Sequence, residues 1–158
     1  MEYLKTAKVV FSILVSLSAG FVGSIFTAQT VDTWYEGLAK PWFAPPGGLI
    51  SVIWITLYIL IGISLYLVLT KDLTQKAVKV ALGVFGVQLF LNALWSYLFF
   101  GLTSPLYGLV GIVALWIAIA ATIYTFRKVS RKASYLLYPY IVWVTIALAL
   151  NYSIYVMN

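Results

Sequence analysis

The sequence predicts an all-α, polytopic membrane protein, a five-transmembrane-helix bundle forming a single domain over residues 1–158. Three observations lead there. Hydrophobic residues make up 63% of the chain and charged residues 9%, where an ordinary soluble domain has roughly a quarter charged. The apolar residues gather in five runs, near residues 7–28, 48–70, 77–100, 104–126 and 134–157. Each is long enough, at about 1.5 Å per residue, to cross a hydrocarbon core of about 30 Å. Finally, no Asp, Glu, Lys or Arg falls well inside any of the runs.

The first run follows Lys5 and Lys8, as a secretory signal would, but its apolar part is long and no small-x-small cleavage pattern follows. It is therefore expected to stay as a helix of the mature protein. Its Ser12, Ser16, Gly20, Gly23, Ser24 and Thr27 recur mostly at three- and four-residue spacing, a stripe that suits close helix packing. Gly47-Gly48 opens the second run after a Pro-Pro stop, Gly101 ends the third, and Ser104-Pro105 supplies an N-cap and a first-turn proline for the fourth. Gly108 and Gly111 in the fourth run invite the same packing reading as the stripe in the first.

The distribution of charge gives an orientation. With a cytoplasmic N-terminus, Lys5, Lys8, Lys71, Lys76, Lys79, Arg127, Lys128, Arg131 and Lys132 fall inside and Lys40 alone outside, nine of the ten basic residues against one. The positive-inside rule then places the C-terminus and the first loop outside, in what is expected to be a cell (plasma) membrane. The net charge of +6 follows from this arrangement, and no nucleic-acid partner is expected. The Arg127–Lys132 cluster reads as a topology determinant facing anionic lipid.

Chemistry is limited by what is missing. The chain has no His and no Cys, so imidazole bases, thiol nucleophiles and the commonest metal and haem ligands are absent. Without ionisable groups inside the spans, an ion-coupled pump is not expected. Neither a conventional catalytic residue nor a metal site is expected.

The long insert between the first two runs stands out. From Trp34 to Trp54 it reads WYEGLAKPWFAPPGGLISVIW, and its extramembrane part is expected over residues 29–47. Pro41, Pro45 and Pro46 stiffen it, and Trp34 and Tyr35 need something to pack on. It is read as a lid. Trp34 could equally be an interfacial belt residue, as could Trp42.

Polar residues inside the runs share faces. Gln88, Asn92 and Ser96 stand at i, i+4 and i+8 of the third run; Trp143, Ala147 and Asn151 repeat that spacing in the fifth, and Trp54, Tyr58 and Gly62 in the second. One reading is hydrogen bonding that glues helices together. The other is a shared pocket. At about 1.5 Å per residue, Trp54 and Asn151 lie roughly 9 to 10 Å deep, Asn92 near 13 Å and Trp143 near 20 Å, all below the lid. Aromatic walls with a few amides suit a flat, largely apolar ligand. Trp116 has no evident polar companion and is assigned to packing or lipid contact.

WYxxLxKPxxxPP over Trp34–Pro46, Trp54, QLFLNALWSYLFFG over Gln88–Gly101 and PYIVWVTIALALN over Pro139–Asn151 together resemble the TspO family, the tryptophan-rich sensory proteins and translocator proteins, also called peripheral benzodiazepine receptors. The resemblance implies a five-helix bundle, often a homodimer, that binds porphyrins such as protoporphyrin IX and, in some members, sterols and synthetic benzodiazepine-type ligands. It implies pocket roles for Trp54, Asn92 and Trp143, an influence of Ala147 on binding, and light-dependent porphyrin breakdown involving Trp54 and Trp143. Sterol binding through the C-terminal LNYSIYVMN is not expected, because no base follows the tyrosine. A metal-free tetrapyrrole is favoured as ligand, and no obligatory cofactor. The function expected is tetrapyrrole sensing, with transport of porphyrin or lipid second and photo-oxidative degradation third.

Overall fold

The computed structural model describes residues Met1 to Asn158, and all its regular structure is helical. Helix α1 is Glu2–Thr30, continued by a π-helical turn, Val31–Tyr35. Then come α2, Gly47–Leu69; α3, Lys76–Ser96, continued by a π-helical turn, Tyr97–Gly101; α4, Pro105–Val129; the short α5, Arg131–Tyr135; and α6, Tyr138–Met157. Five stretches are long and apolar enough to cross a membrane: Glu2–Tyr35, Gly47–Leu69, Lys76–Gly101, Pro105–Val129 and Arg131–Met157.

Two stretches depart from the sequence reading. The first span runs on to Tyr35, so Trp34 and Tyr35 belong to the end of a helix and the connecting loop covers only 36–46. Nothing in QTVDTWY stops a helix, and the added turns find partners: Thr30 Oγ1 donates to the Phe100 carbonyl at 3.1 Å, while Trp34 and Tyr35 pack edge-on against Phe99. The last span is in two pieces, because Leu136 and Leu137 interrupt it ahead of Pro139, which sits in the first turn of α6 where proline is tolerated. Ser130 starts α5 by accepting a hydrogen bond from the Ala133 amide at 3.3 Å. Ser104 caps α4 in the same way through the Tyr107 amide at 3.2 Å, with Pro105 as its first residue.

Contacts at small residues fix how the spans run. Gly62 meets Ile13 and Gly20 meets Tyr58, so α1 and α2 are antiparallel; Gly23 meets Ser96, Phe26 meets Tyr97 and Thr30 meets Phe100, so α1 and α3 run parallel. Gly108 lies against Phe99 and Asn151, and Gly111 against Leu98, so α4 packs antiparallel between α3 and α6. The spans follow one another around the bundle in the order α2, α1, α3, α4, α6. The ring is almost open between α6 and α2, which touch little; at that end α2 instead meets α5, where Ser64 Oγ donates to the Ala133 carbonyl at 2.7 Å.

The loop over the opposite end is tied down on one side. The Asn158 side chain accepts from the Ala39 amide and donates to the Ala39 carbonyl, both at 3.0 Å. Lys40 Nζ donates to the carbonyls of Glu36 and Leu38 and lies 4.7 Å from the centre of the Tyr35 ring. The far part of the loop is less restrained, with Trp42 95% exposed. Asn158→Ala should therefore raise amide hydrogen exchange around Ala39 roughly fivefold, the equivalent of about 1 kcal/mol for a lost hydrogen bond, with exchange inside the spans unchanged.

Candidate functional site

Beneath that loop the ring encloses a cavity of about 580 Å3, within the range of about 300–1,000 Å3 usual for small-molecule sites. Its walls come from α1, α2, α3 and α6 and from both π-helical turns; α4 contributes nothing and no charged side chain reaches it. Of the residues picked out in the sequence, Trp54, Tyr58, Asn92, Trp143, Ala147 and Asn151 all line it, with Tyr35 and Pro45 above.

The others do not. Gln88 is fully buried outside the cavity lining, accepting a hydrogen bond from the Tyr140 hydroxyl at 3.0 Å; one helical turn from Asn92, it meets the same hydroxyl that Asn92 reaches. Trp34 turns onto Phe99, 5.3 Å between ring centres, and supports the wall from behind. Pro41 and Pro46 shape the loop without facing the cavity: Pro46, in extended conformation, starts α2, and the Pro41 carbonyl accepts from the Ala44 amide.

Two polar groups expected to face a ligand are committed to the protein. Asn151 Oδ1 accepts from the Trp95 indole N–H at 3.1 Å, and its Nδ2 donates to the Pro105 carbonyl at 3.0 Å, fastening α6 to the start of α4. Asn92 Oδ1 accepts from the Tyr58 hydroxyl at 2.5 Å, and its Nδ2 donates to the Tyr140 hydroxyl at 2.7 Å. The floor is thus a hydrogen-bonded chain from Tyr58 through Asn92 and Tyr140 to the Gln88 carbonyl oxygen, while the Gln88 Nε2 is buried without a partner. Trp54 rests on it, stacked on Tyr58 at 5.6 Å and 26° and edge-on to Tyr140 at 6.3 Å. What the cavity presents to an occupant is mainly apolar surface with aromatic rings in its walls, suited to burial and stacking.

Sequence reasoning missed several wall residues. Trp95, stacked on Phe99 at 5.5 Å and 14°, forms one side with Phe100. A helical face drifts from strict i+4 steps, and counting i+3 and i+7 from Asn92 would have reached Trp95 and Phe99. The small-residue stripe of α1 also divides. Ser12 and Ser16 are fully buried between helices, as a packing stripe should be, whereas Gly20, Gly23, Ser24 and Thr27 line the cavity. At Gly20 a Cβ would come within 2.5 Å of the Tyr58 ring, so the glycine makes room for a wall residue. Trp116 does have a polar companion: its indole N–H donates to Thr145 Oγ1 at 2.9 Å, tying α4 to α6.

The cavity also opens sideways. Phe21 and Ser24 of α1 and Ser51 and Ile55 of α2 line it and are exposed. Both serine hydroxyls turn back to their own helices, Ser24 to the Phe21 carbonyl and Ser51 to the Gly47 carbonyl, leaving an apolar opening above the Gly20–Tyr58 contact.

The model of the TspO/MBR family matches residues 12–157. This chain belongs to that family. Among its TspO relatives, the tryptophan-rich protein TspO of Archaeoglobus fulgidus is 51% identical over 96% of this chain and 97% of its own length. Protein CrtK of Rhodobacter capsulatus is 37% identical over 89% of this chain and 86% of its own, and the human translocator protein 41% over 85% and 80%. Membership and the five apolar spans make the chain an integral membrane protein of a TspO sensor and translocator family.

Proposed function

We propose that this protein binds a porphyrin of the protoporphyrin IX type, metal-free, in the cavity beneath the loop and reports or regulates tetrapyrrole supply. The observation that carries the reading is the cavity itself: about 580 Å3, uncharged, walled by Trp54, Tyr58, Trp95, Phe99 and Trp143, with its two amides already paired inside the protein. Such a site selects by shape, burial and stacking, which suits a flat macrocycle. Synthetic ligands of the benzodiazepine type and membrane lipid fit the same apolar walls. The protein acts in this reading as a homodimer in the cell membrane, with its N-terminus, α5 and most of the basic residues on the cytoplasmic side.

Titration of the reconstituted protein with protoporphyrin IX, followed by quenching of tryptophan emission, tests it. Trp54→Phe and Trp143→Phe should each weaken binding roughly fivefold, the equivalent of about 1 kcal/mol of aromatic contact. Titrations unchanged in both variants would reject the site.

The opening between α1 and α2 favours transport as the second reading, since it joins the cavity to the level of the hydrocarbon. Protein-dependent porphyrin flux between vesicles would support it, and binding without flux would count against it. Photo-oxidative breakdown comes third, resting on Trp54 and Trp143 beside a bound chromophore. Bleaching in light and oxygen with no Trp143-dependent product would exclude it.

A further inference from the structure

The seam where α2 and α6 barely meet holds a second cavity of about 360 Å3. Its walls are Val52, Thr56 and Leu60 on α2 and Pro139, Val142 and Ile146 on α6, with Trp143 also lining it. Thr56 points its hydroxyl back to the Val52 carbonyl at 2.8 Å, so this groove offers hardly any polar group. Both walls belong to membrane-crossing stretches, and Val52, Thr56, Val142 and Ile146 are exposed on the outside of the bundle. Trp143 and Ile146 line this groove and the central cavity alike, so a single layer of side chains separates the two.

Trp143 is also held differently from its neighbours. The indole N–H groups of Trp95 and Trp116 are fixed by Asn151 and Thr145. That of Trp143 is buried and has no partner. A buried donor without an acceptor costs about 1–3 kcal/mol, and no hydrogen bond defines this ring's orientation. Its position depends on what presses on it from either side.

We propose that the α2–α6 groove is a binding site for one acyl chain of the surrounding lipid, and that this chain forms the outer support of Trp143. The occupant follows from the location. The groove faces the hydrocarbon, its walls are apolar apart from the Thr56 hydroxyl already bonded to its own helix, and the helix ring leaves its seam unfilled by protein. A chain lying there contacts the back of the indole whose front faces the central cavity. The lipid thereby becomes part of the cavity wall, and occupancy of the two spaces is coupled through one side chain.

The test uses the full chain in phosphatidylcholine vesicles with plain or brominated acyl chains, since bromine quenches tryptophan on contact. Subtracting the Trp143→Phe signal isolates the Trp143 component. That component should be quenched by brominated chains, and it should be protected in Thr56→Phe and in Val142→Phe, which fill the groove from opposite walls. Two groove variants guard against one of them failing to fold. A Trp143 component indifferent to brominated chains overturns the proposal, as does a groove covered by a second copy, seen as cross-linking between Thr56→Cys chains that lack any other cysteine.

A second measurement tests the coupling and alone rests on the porphyrin reading. Wild-type affinity for protoporphyrin IX should fall several-fold when the vesicles are replaced by a short-chain detergent, and Thr56→Phe should lose that dependence. Equal affinities for the wild type in both media would refute the coupling. If protoporphyrin IX does not bind at all, the porphyrin reading fails and the coupling with it, while bromine quenching still decides the groove.

Discussion

Gly62→Ala is expected to separate α1 from α2 and lower unfolding stability by about 2 kcal/mol. A Cβ at this position would come within 2.5 Å of Ile13 Cα and 3.0 Å of its amide nitrogen. These are backbone atoms, which cannot turn aside as a side chain could. Two opposing effects decide the size. Alanine gains about 1 kcal/mol of helix propensity over glycine, and overpacking a close crossing costs about 3 kcal/mol, so the clash wins. Gly83→Ala is the control, because a Cβ there meets nothing within 4 Å and only the propensity gain remains. Thermal unfolding of both variants in the same detergent should move them in opposite directions. Equal stability would mean that the α1–α2 crossing tolerates a methyl group. Because the two helices form adjoining walls of the cavity, Gly62→Ala should also weaken protoporphyrin IX binding more than its stability loss alone explains.

That crossing shows which features the chain reveals and which it hides. The fold was legible because hydrocarbon imposes a simple rule: every span needs about twenty apolar residues and its charges at the ends. The faces carrying Trp54, Asn92 and Trp143 were legible for a related reason, since polar and aromatic groups inside a span turn away from lipid. The destinations of individual polar atoms were not. Asn92 and Asn151 look the same in sequence whether they face a ligand or a neighbouring helix; only the approach of the Tyr58, Tyr140 and Trp95 side chains settles that their amides are already engaged. The spacing of Gln88 predicts a place in the pocket, but its carbonyl oxygen is taken up by the Tyr140 hydroxyl, supplied by a helix some fifty residues later in the chain, and it does not line the cavity. The α1 stripe misled in the other direction. Small residues make room, and whether that room is filled by a helix, as at Ser12 and Ser16, or left as cavity, as at Ser24 and Thr27, depends on how far the facing helix diverges.

Asn92→Ala is the second large effect expected, and it falls on stability and binding together. The substitution leaves the Tyr58 proton without its acceptor and the Tyr140 oxygen without its donor at a floor where both phenols are buried. An unmet buried polar group costs about 1–3 kcal/mol, and Tyr140 keeps Gln88 as a partner, so the loss should come to about 3 kcal/mol. Trp54 leans on both phenols, and slack in them reaches the cavity wall; protoporphyrin IX affinity should fall about tenfold, or about 1.4 kcal/mol. A double-mutant cycle separates this account from simple loss of volume. With Tyr58→Phe already in place, Asn92→Ala removes an acceptor that nothing needs, and its stability cost should shrink by about 1 kcal/mol or more. If the two costs simply add, the hydrogen bond between Tyr58 and Asn92 is not what holds the floor. If they couple strongly while binding is unaffected, the floor holds the bundle together without orienting Trp54. Coupling in stability accompanied by weaker binding is the result that ties the polar chain beneath the cavity to the aromatic wall above it.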